Sequence, residues 1–251
     1  MKIGFRMLLS VALAAMLVPV AWTQSTATGR YDQDIQARVA KLLNSGKWKD
    51  VTATTEDGVV TLQGKVKLYI DKADLAKKVE KIEHVESVRN HVEVDTTVPD
   101  AELYQKLADK LAYDRIGQGI TFNALTLQVQ NGVATVGGDV HDYPSRDSAL
   151  AIVETTPGVK DVIDNINVLP TSGFDDDLRI RIARAIYGFP TMKKYAIDPQ
   201  RPIRIIVDNG HVTLYGVVDS KMDSQIAETQ ARTVSGSFSV ENKLVIAHQG
   251  K

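Results

Sequence analysis

One ten-residue phrase occurs three times in this chain, and its recurrence constrains the fold more than any bulk property. It runs from Asp57 to Val66 (DGVVTLQGKV), from Asn131 to Val140 (NGVATVGGDV) and from Asn209 to Val218 (NGHVTLYGVV). Asp-Gly or Asn-Gly opens each copy, the pair best suited to the positive φ that a primed two-residue turn needs at both centres. Alternation follows: Val60, Leu62 and Val66 point one way, and Thr61, Gln63 and Lys65 the other. A strand of the same period precedes each turn, through Val51 and Ala53, then Leu125, Leu127 and Val129, then Ile203, Ile205 and Val207. Each phrase is therefore the turn and second strand of a hairpin. Gly58, Gly64, Gly132, Gly138, Gly210 and Gly216 read as turn and bulge glycines; none opens a helix, as a phosphate cradle would require.

A second phrase keeps step with the first. His84 to Val92, Gly158 to Ile166 and Gly236 to Leu244 share a pattern, and both phrases advance by 74 and then 78 residues. Two motifs in one register mark a repeat. Helical periodicity fills the gaps: Ile35, Val39, Leu42 and Leu43; Leu103, Leu107 and Leu111; Leu178, Ile182, Ala185 and Ile186. A second helix follows each hairpin, with Asp71, Ser145 and Asp223 expected as its caps. Its apolar faces are Leu75, Val79 and Ile82, then Ala149 and Val153, then Ala227, Ala231 and Val234. The fold class is α+β: three tandem small α-β-β-α-β sandwich domains, each a three-stranded sheet covered by two helices. The boundaries read as 31–96, 100–169 and 174–247. The linkers Thr96 to Pro99 and Leu169 to Gly173 are too short for free tumbling, so neighbouring domains are expected to touch.

Residues 1–27 differ in kind. Lys2 and Arg6 precede an apolar run from Met7 to Ala21, which reads as a secretory signal peptide cleaved after Ser25-Thr26-Ala27, with an uncleaved anchor as the alternative. The chain has no cysteine, which excludes a lipoprotein anchor, disulfides and thiolate metal sites. A formal net charge of −1 argues against general nucleic-acid binding, which draws on a basic face. The expected location is periplasmic or secreted.

The two phrases, with the helix ahead of each hairpin, resemble the BON domain family (bacterial OsmY and nodulation domain) in all three copies. Departures are His84 in a glycine column, His211 and Ser237 in valine columns, and Asp164 in an asparagine column. The resemblance implies binding rather than catalysis, in bacterial envelope proteins linked to osmotic stress or outer-membrane integrity. Its members are associated with anionic phospholipid or with folding of exported proteins, and it implies no cofactor. The expected partner is thus an anionic phospholipid surface or an envelope protein; the alternative is a chaperone-like periplasmic factor.

Enzymatic signatures are missing. The five histidines lack HExxH spacing, and no nucleophile elbow is present. The run Asp175-Asp176-Asp177 suits a helix N-terminus rather than a metal. Candidate contact residues lie in the loop after the first helix, where aromatic rings neighbour cations. In copy one they are Lys47, Trp48 and Lys49. In copy three they are Phe189, Met192, Lys193, Lys194 and Tyr195, beside Arg179, Arg181, Arg184, Arg201 and Arg204. Two readings stand for each loop: a peripheral membrane contact, or rings that close the core edge while the lysines stay solvated. The column Asn90, Asp164 and Asn242 is expected to point inward and pin a nearby loop. Tyr69 and Tyr143 share another column, as a contact or as a staple on the second helix.

Overall fold

The Asx-Gly pairs fold as turns with both centres at positive φ: 49° and 76° at Asp57-Gly58, 54° and 80° at Asn131-Gly132, 49° and 76° at Asn209-Gly210. The computed structural model describes residues 29–44, 46–114, 119–197 and 202–247, so the expected signal peptide lies outside the described residues. In the first domain a 3-10 turn leads into α1 (Asp32–Leu43), β1 (Val51–Glu56), β2 (Val59–Val66), α2 (Tyr69–Glu80) and β3 (Ser87–Val94). The second holds α3 (Asp100–Ala112), the short α4 (Gly119–Phe122), β4 (Ala124–Gln130), β5 (Val133–Val140), α5 (Tyr143–Glu154) and β6 (Asp161–Val168). The third holds α6 (Gly173–Gly188), α7 (Lys194–Ile197), β7 (Arg204–Asp208), β8 (His211–Val218), α8 (Lys221–Thr233) and β9 (Ser239–Ile246).

Each domain has one three-stranded sheet: β1-β2-β3, β4-β5-β6 and β7-β8-β9. The hairpin strands pair antiparallel, and the crossover through the second helix brings the last strand in parallel to the middle one. The helices cover one face, and their periodic residues fill the cores. Ile35, Val39, Leu75 and Val79 meet Val60, Leu62 and Val66 in the first. Leu178, Ile182, Ile186, Ala227 and Ala231 meet Ile205, Val212 and Leu214 in the third. The glycine late in each phrase has a steric cause. A Cβ at Gly64 or Gly138 would sit 2.2 or 2.0 Å from the carbonyl oxygen of Asp50 or Ala124, and both glycines have positive φ.

The caps differ from expectation. The first turn of α8 is capped by Ser220, whose hydroxyl accepts from the Asp223 amide, and α5 by Asp142, which accepts from Ser145. In α2 this position is Leu68, with no side-chain cap. Asp71, Ser145 and Asp223 thus stand three residues inside the helix, with their side chains free for other work.

A second device was not apparent from the repeat register. Asp32 accepts the amides of Asp57 and Gly58, each at 2.9 Å. Asp100 accepts those of Asn131 and Gly132 at 2.6 and 2.8 Å. Asp175 accepts those of Asn209 and Gly210 at 2.9 and 2.8 Å. The first helix of every domain therefore clamps the hairpin turn through both carboxylate oxygens, which explains Asp175 in the acidic run.

The domains touch, as the short linkers require. Tyr69 packs against both the first and second cores. Between the second and third domains, Ala124, Leu169 and Ile206 form a small apolar cluster with Tyr215. Around it His141 Nε2 lies 2.9 Å from Asp176, and Arg204 donates to the Asn123 carbonyl at 2.8 Å.

Candidate functional site

The arginine–aromatic stretch of the third domain folds mostly inward. Met192 and Tyr195 are core residues, and Phe189 packs half-buried against them. The Tyr195 hydroxyl donates to Asp223 at 2.7 Å and accepts the Asp219 amide at 2.7 Å. Lys194 Nζ meets the carboxylates of Asp219 and Asp223 at 2.8 and 2.9 Å and lies 4.9 Å from the Tyr195 ring centre. Burial pushes the Asp223 carboxyl up, but the bonds from Tyr195 and Lys194 outweigh it and hold the group below the usual carboxylate range. Bonds to Asp219 and Asp223 in turn raise the Lys194 ammonium.

The arginines are similarly occupied. Buried Arg179 pairs with Asp176 and donates to the Val207 carbonyl. Arg181 pairs with Asp177 at 2.9 Å and donates to the Ser235 carbonyl. Arg204 joins two domains, and Arg201 lies outside the described residues. Arg184 and Lys193 remain on the exposed surface. The most basic stretch of sequence thus keeps only part of its charge on the surface, because Arg179, Arg181 and Lys194 bond within the third domain and Arg204 reaches the second.

The first domain uses the same device. Trp48 is 3% exposed, and its Nε1 donates to the Asp71 carbonyl at 2.9 Å. Lys47 Nζ lies 3.1 Å from Asp71, 3.4 Å from Asp74 and 4.5 Å from the Trp48 ring centre. A ring with a polar tip closes the core edge, and the preceding lysine ties it to the acid in the second helix. In the second domain Phe122 joins the third core instead, while Ser145 keeps a buried hydroxyl without a partner among the described residues.

Exposed cations gather elsewhere. At the end of the first domain away from the hairpin turn is an open cleft of about 280 Å³, lined by Lys47, Lys49, Lys65 and Lys67 with Asp50, Asp71 and Asp95. Lys49, Lys65 and Lys67 are exposed, and Lys65 lies 3.9 Å from Asp95. Only strand pairing unites them, since the Lys65 amide donates to the Asp50 carbonyl at 3.2 Å. Asp32, Glu56, Asp57 and Glu86 stand at the turn end, with Arg89 beside Glu56 and Asp57.

The polar column pins a helix rather than a loop. Asn90 Nδ2 donates to the Lys72 carbonyl at 3.2 Å, and Asn242 Nδ2 to the Ser224 carbonyl at 3.2 Å. Each Oδ1 accepts the amide two residues on, at 3.1 Å. Asp164 has no donor to offer; it sits exposed rather than inward and takes a salt bridge from Arg146. Arg146 occupies the column of Lys72 and Ser224, so the second copy changes both partners together. Tyr69 is half-buried beside Asp161 and Glu154 of the second domain; burial first, then those charges, raises its phenol. Tyr143 is 68% exposed.

Among the described residues, no cluster of His, Asp or Glu could hold a metal ion, and no helix is long and apolar enough to cross a membrane.

Comparison with known proteins gives one clear match. The family model of the BON domain fits residues 31–96, 99–170 and 191–248. The third match begins after α6, although α6 supplies Leu178, Ile182 and Ile186 to that core. No curated protein matches the chain. Among solved structures, it is similar to the C-terminal domain of CdsD, a structural protein of the type III secretion system of Chlamydia trachomatis. That likeness has 16% identity over 86% of this chain and 96% of the other, with a TM-score of 0.23. The periplasmic domain of the inner membrane protein PrgH from S. typhimurium matches at 10% identity, 84% and 99% coverage and a TM-score of 0.18. At such scores these likenesses carry no argument about arrangement or role.

Proposed function

From the premise that the chain belongs to the BON domain family, with three copies in tandem, we propose a non-catalytic envelope protein that contacts anionic phospholipid through the lysine-lined end of its first domain. The family makes the protein envelope-related; the lipid contact is our reading. The observation that carries it is the exposure of Lys49, Lys65 and Lys67 around one open cleft, where Lys47 is held by Asp71 and Asp74. Lysines near an anionic leaflet contribute about 1 kcal/mol each, and the effect fades with salt over a Debye length. The mature chain is expected to co-sediment with phosphatidylglycerol vesicles at low salt, more weakly at moderate salt, and not with zwitterionic vesicles. Absence of binding at low salt would overturn the proposal.

A protein-binding, chaperone-like role is the second reading. Ile163, Val245 and Ile246 stand exposed on the edge strands β6 and β9, where a client strand could pair. Suppression of the aggregation of an unfolded outer-membrane protein would favour it.

A further inference from the structure

The first and third domains each close one end of the core with a ring that carries a polar tip. Trp48 clusters with Leu43 and Val51 and donates to the Asp71 carbonyl. Tyr195 clusters with Ile186 and Ile203 and donates to the Asp223 carboxylate. The turn-clamping aspartates align Leu111 of the second domain with Leu43 and Ile186. The hairpin register aligns Leu125 with Val51 and Ile203, Ser145 with Asp71 and Asp223, and Phe122 with Trp48. Phe122, however, belongs to the third core.

An open cleft of about 220 Å³ lies between these residues of the second domain, lined by Leu111, Asn123, Leu125 and Ser145. Leu125 is only half-buried, whereas Val51 and Ile203 are 5% and 0% exposed. The Ser145 hydroxyl is buried and has no hydrogen-bond partner among the described residues, at the position where Asp71 and Asp223 accept a ring's tip. Burying a hydroxyl unbonded costs stability that a partner restores. Asn123 takes over one bond of Tyr195: its Oδ1 accepts the His141 amide, the counterpart of the Asp219 amide. That bond does not reach Ser145. Asp114 and Arg204 also line the cleft, so their formal charges cancel and a neutral ligand suits it.

We propose that this cleft binds a free, neutral aromatic small molecule of the phenol class, its ring on Leu111 and Leu125 and its hydroxyl bonded to Ser145 Oγ. A cavity of about 150 Å³ admits benzene, so the volume suffices. A serine hydroxyl both donates and accepts, so it can bond a phenol in either sense. The ligand supplies from solution what Trp48 and Tyr195 supply from the chain. The proposal stands independently of any lipid contact.

Calorimetric titration of residues 28–251 with phenol, and with toluene as the same shape lacking the hydroxyl, tests it. Phenol is expected to bind saturably at one site, more tightly than toluene, and to shift the methyl resonances of Leu111 and Leu125. Ser145→Ala should weaken phenol about five-fold and leave toluene unchanged. Its thermal midpoint should not fall, because the hydroxyl removed has no partner in the free protein. No saturable binding at millimolar phenol, or phenol binding that Ser145→Ala leaves unchanged, would overturn the proposal. So would tighter binding of N-acetyltyrosinamide than of phenol, which assigns the cleft to a side chain of a protein partner.

Discussion

Replacing Asp175 by asparagine tests the turn clamp with almost no change in shape. Asp175 is 2% exposed, and its two oxygens accept the amides of Asn209 and Gly210 at 2.9 and 2.8 Å. Asparagine offers one oxygen, so its amide group must face an N–H that has lost its acceptor. A charge-assisted bond is lost and a buried donor is left unsatisfied, together worth about 2–3 kcal/mol. For a domain of this size that lowers the unfolding midpoint by roughly 10–20 °C. Asp32 makes the same two bonds at 2.9 Å but is only half-buried, so water can relieve the orphaned amide. Asp32→Asn should therefore lower the first domain's midpoint by about half as much or less. Scanning calorimetry of residues 28–251 and the two variants reads both effects. A drop under about 3 °C for Asp175→Asn, or equal drops for the two, would refute the clamp argument.

Three further outcomes follow from the same geometry. The depressed Asp223 pKa gives stability that is complete above the unfolded carboxyl value of about 3.9 and is lost as pH falls through the lower folded value. The difference in urea midpoint between the parent chain and Asp223→Asn should thus be present at neutral pH and close below about pH 4; a gap unchanged in acid contradicts it. Tyr195→Phe should cost about 1–3 kcal/mol in chemical denaturation, since it strips partners from Asp223 and the Asp219 amide, whereas Lys193→Gln should stay within about 0.5 kcal/mol. Asn90→Asp should cost about 1–2 kcal/mol, because a carboxylate cannot donate to the Lys72 carbonyl; Asp164→Asn should be tolerated within about 0.5 kcal/mol, as its site is exposed.

The fold was legible because its signals are local and repeated. Asx-Gly turns, alternating strands and i, i+4 helix faces each depend on residues a few positions apart. The candidate site was legible only in composition. Lys194 and Tyr195 look like a membrane contact in sequence, yet Asp219 and Asp223 claim both once α8 folds back on the loop. Conversely, Lys49 and Lys67 become neighbours only through the pairing of β1 with β2. The turn clamp escaped for a related reason. Asp32, Asp100 and Asp175 do not keep the 74 and 78 spacing, because the loops between first helix and hairpin differ in length.

The lipid contact is assigned to the lysines of the first domain and not to Arg184 and Lys193, the described cations of the third-domain stretch that stay on its surface. Co-sedimentation with phosphatidylglycerol vesicles at low salt separates the two most directly, using Lys49→Gln/Lys67→Gln and Arg184→Gln/Lys193→Gln as paired double variants. Losing two interfacial lysines should weaken binding by about 2 kcal/mol, roughly 30-fold, in the first pair and leave the second near the parent value. Binding that survives the first pair and collapses in the second would contradict the account.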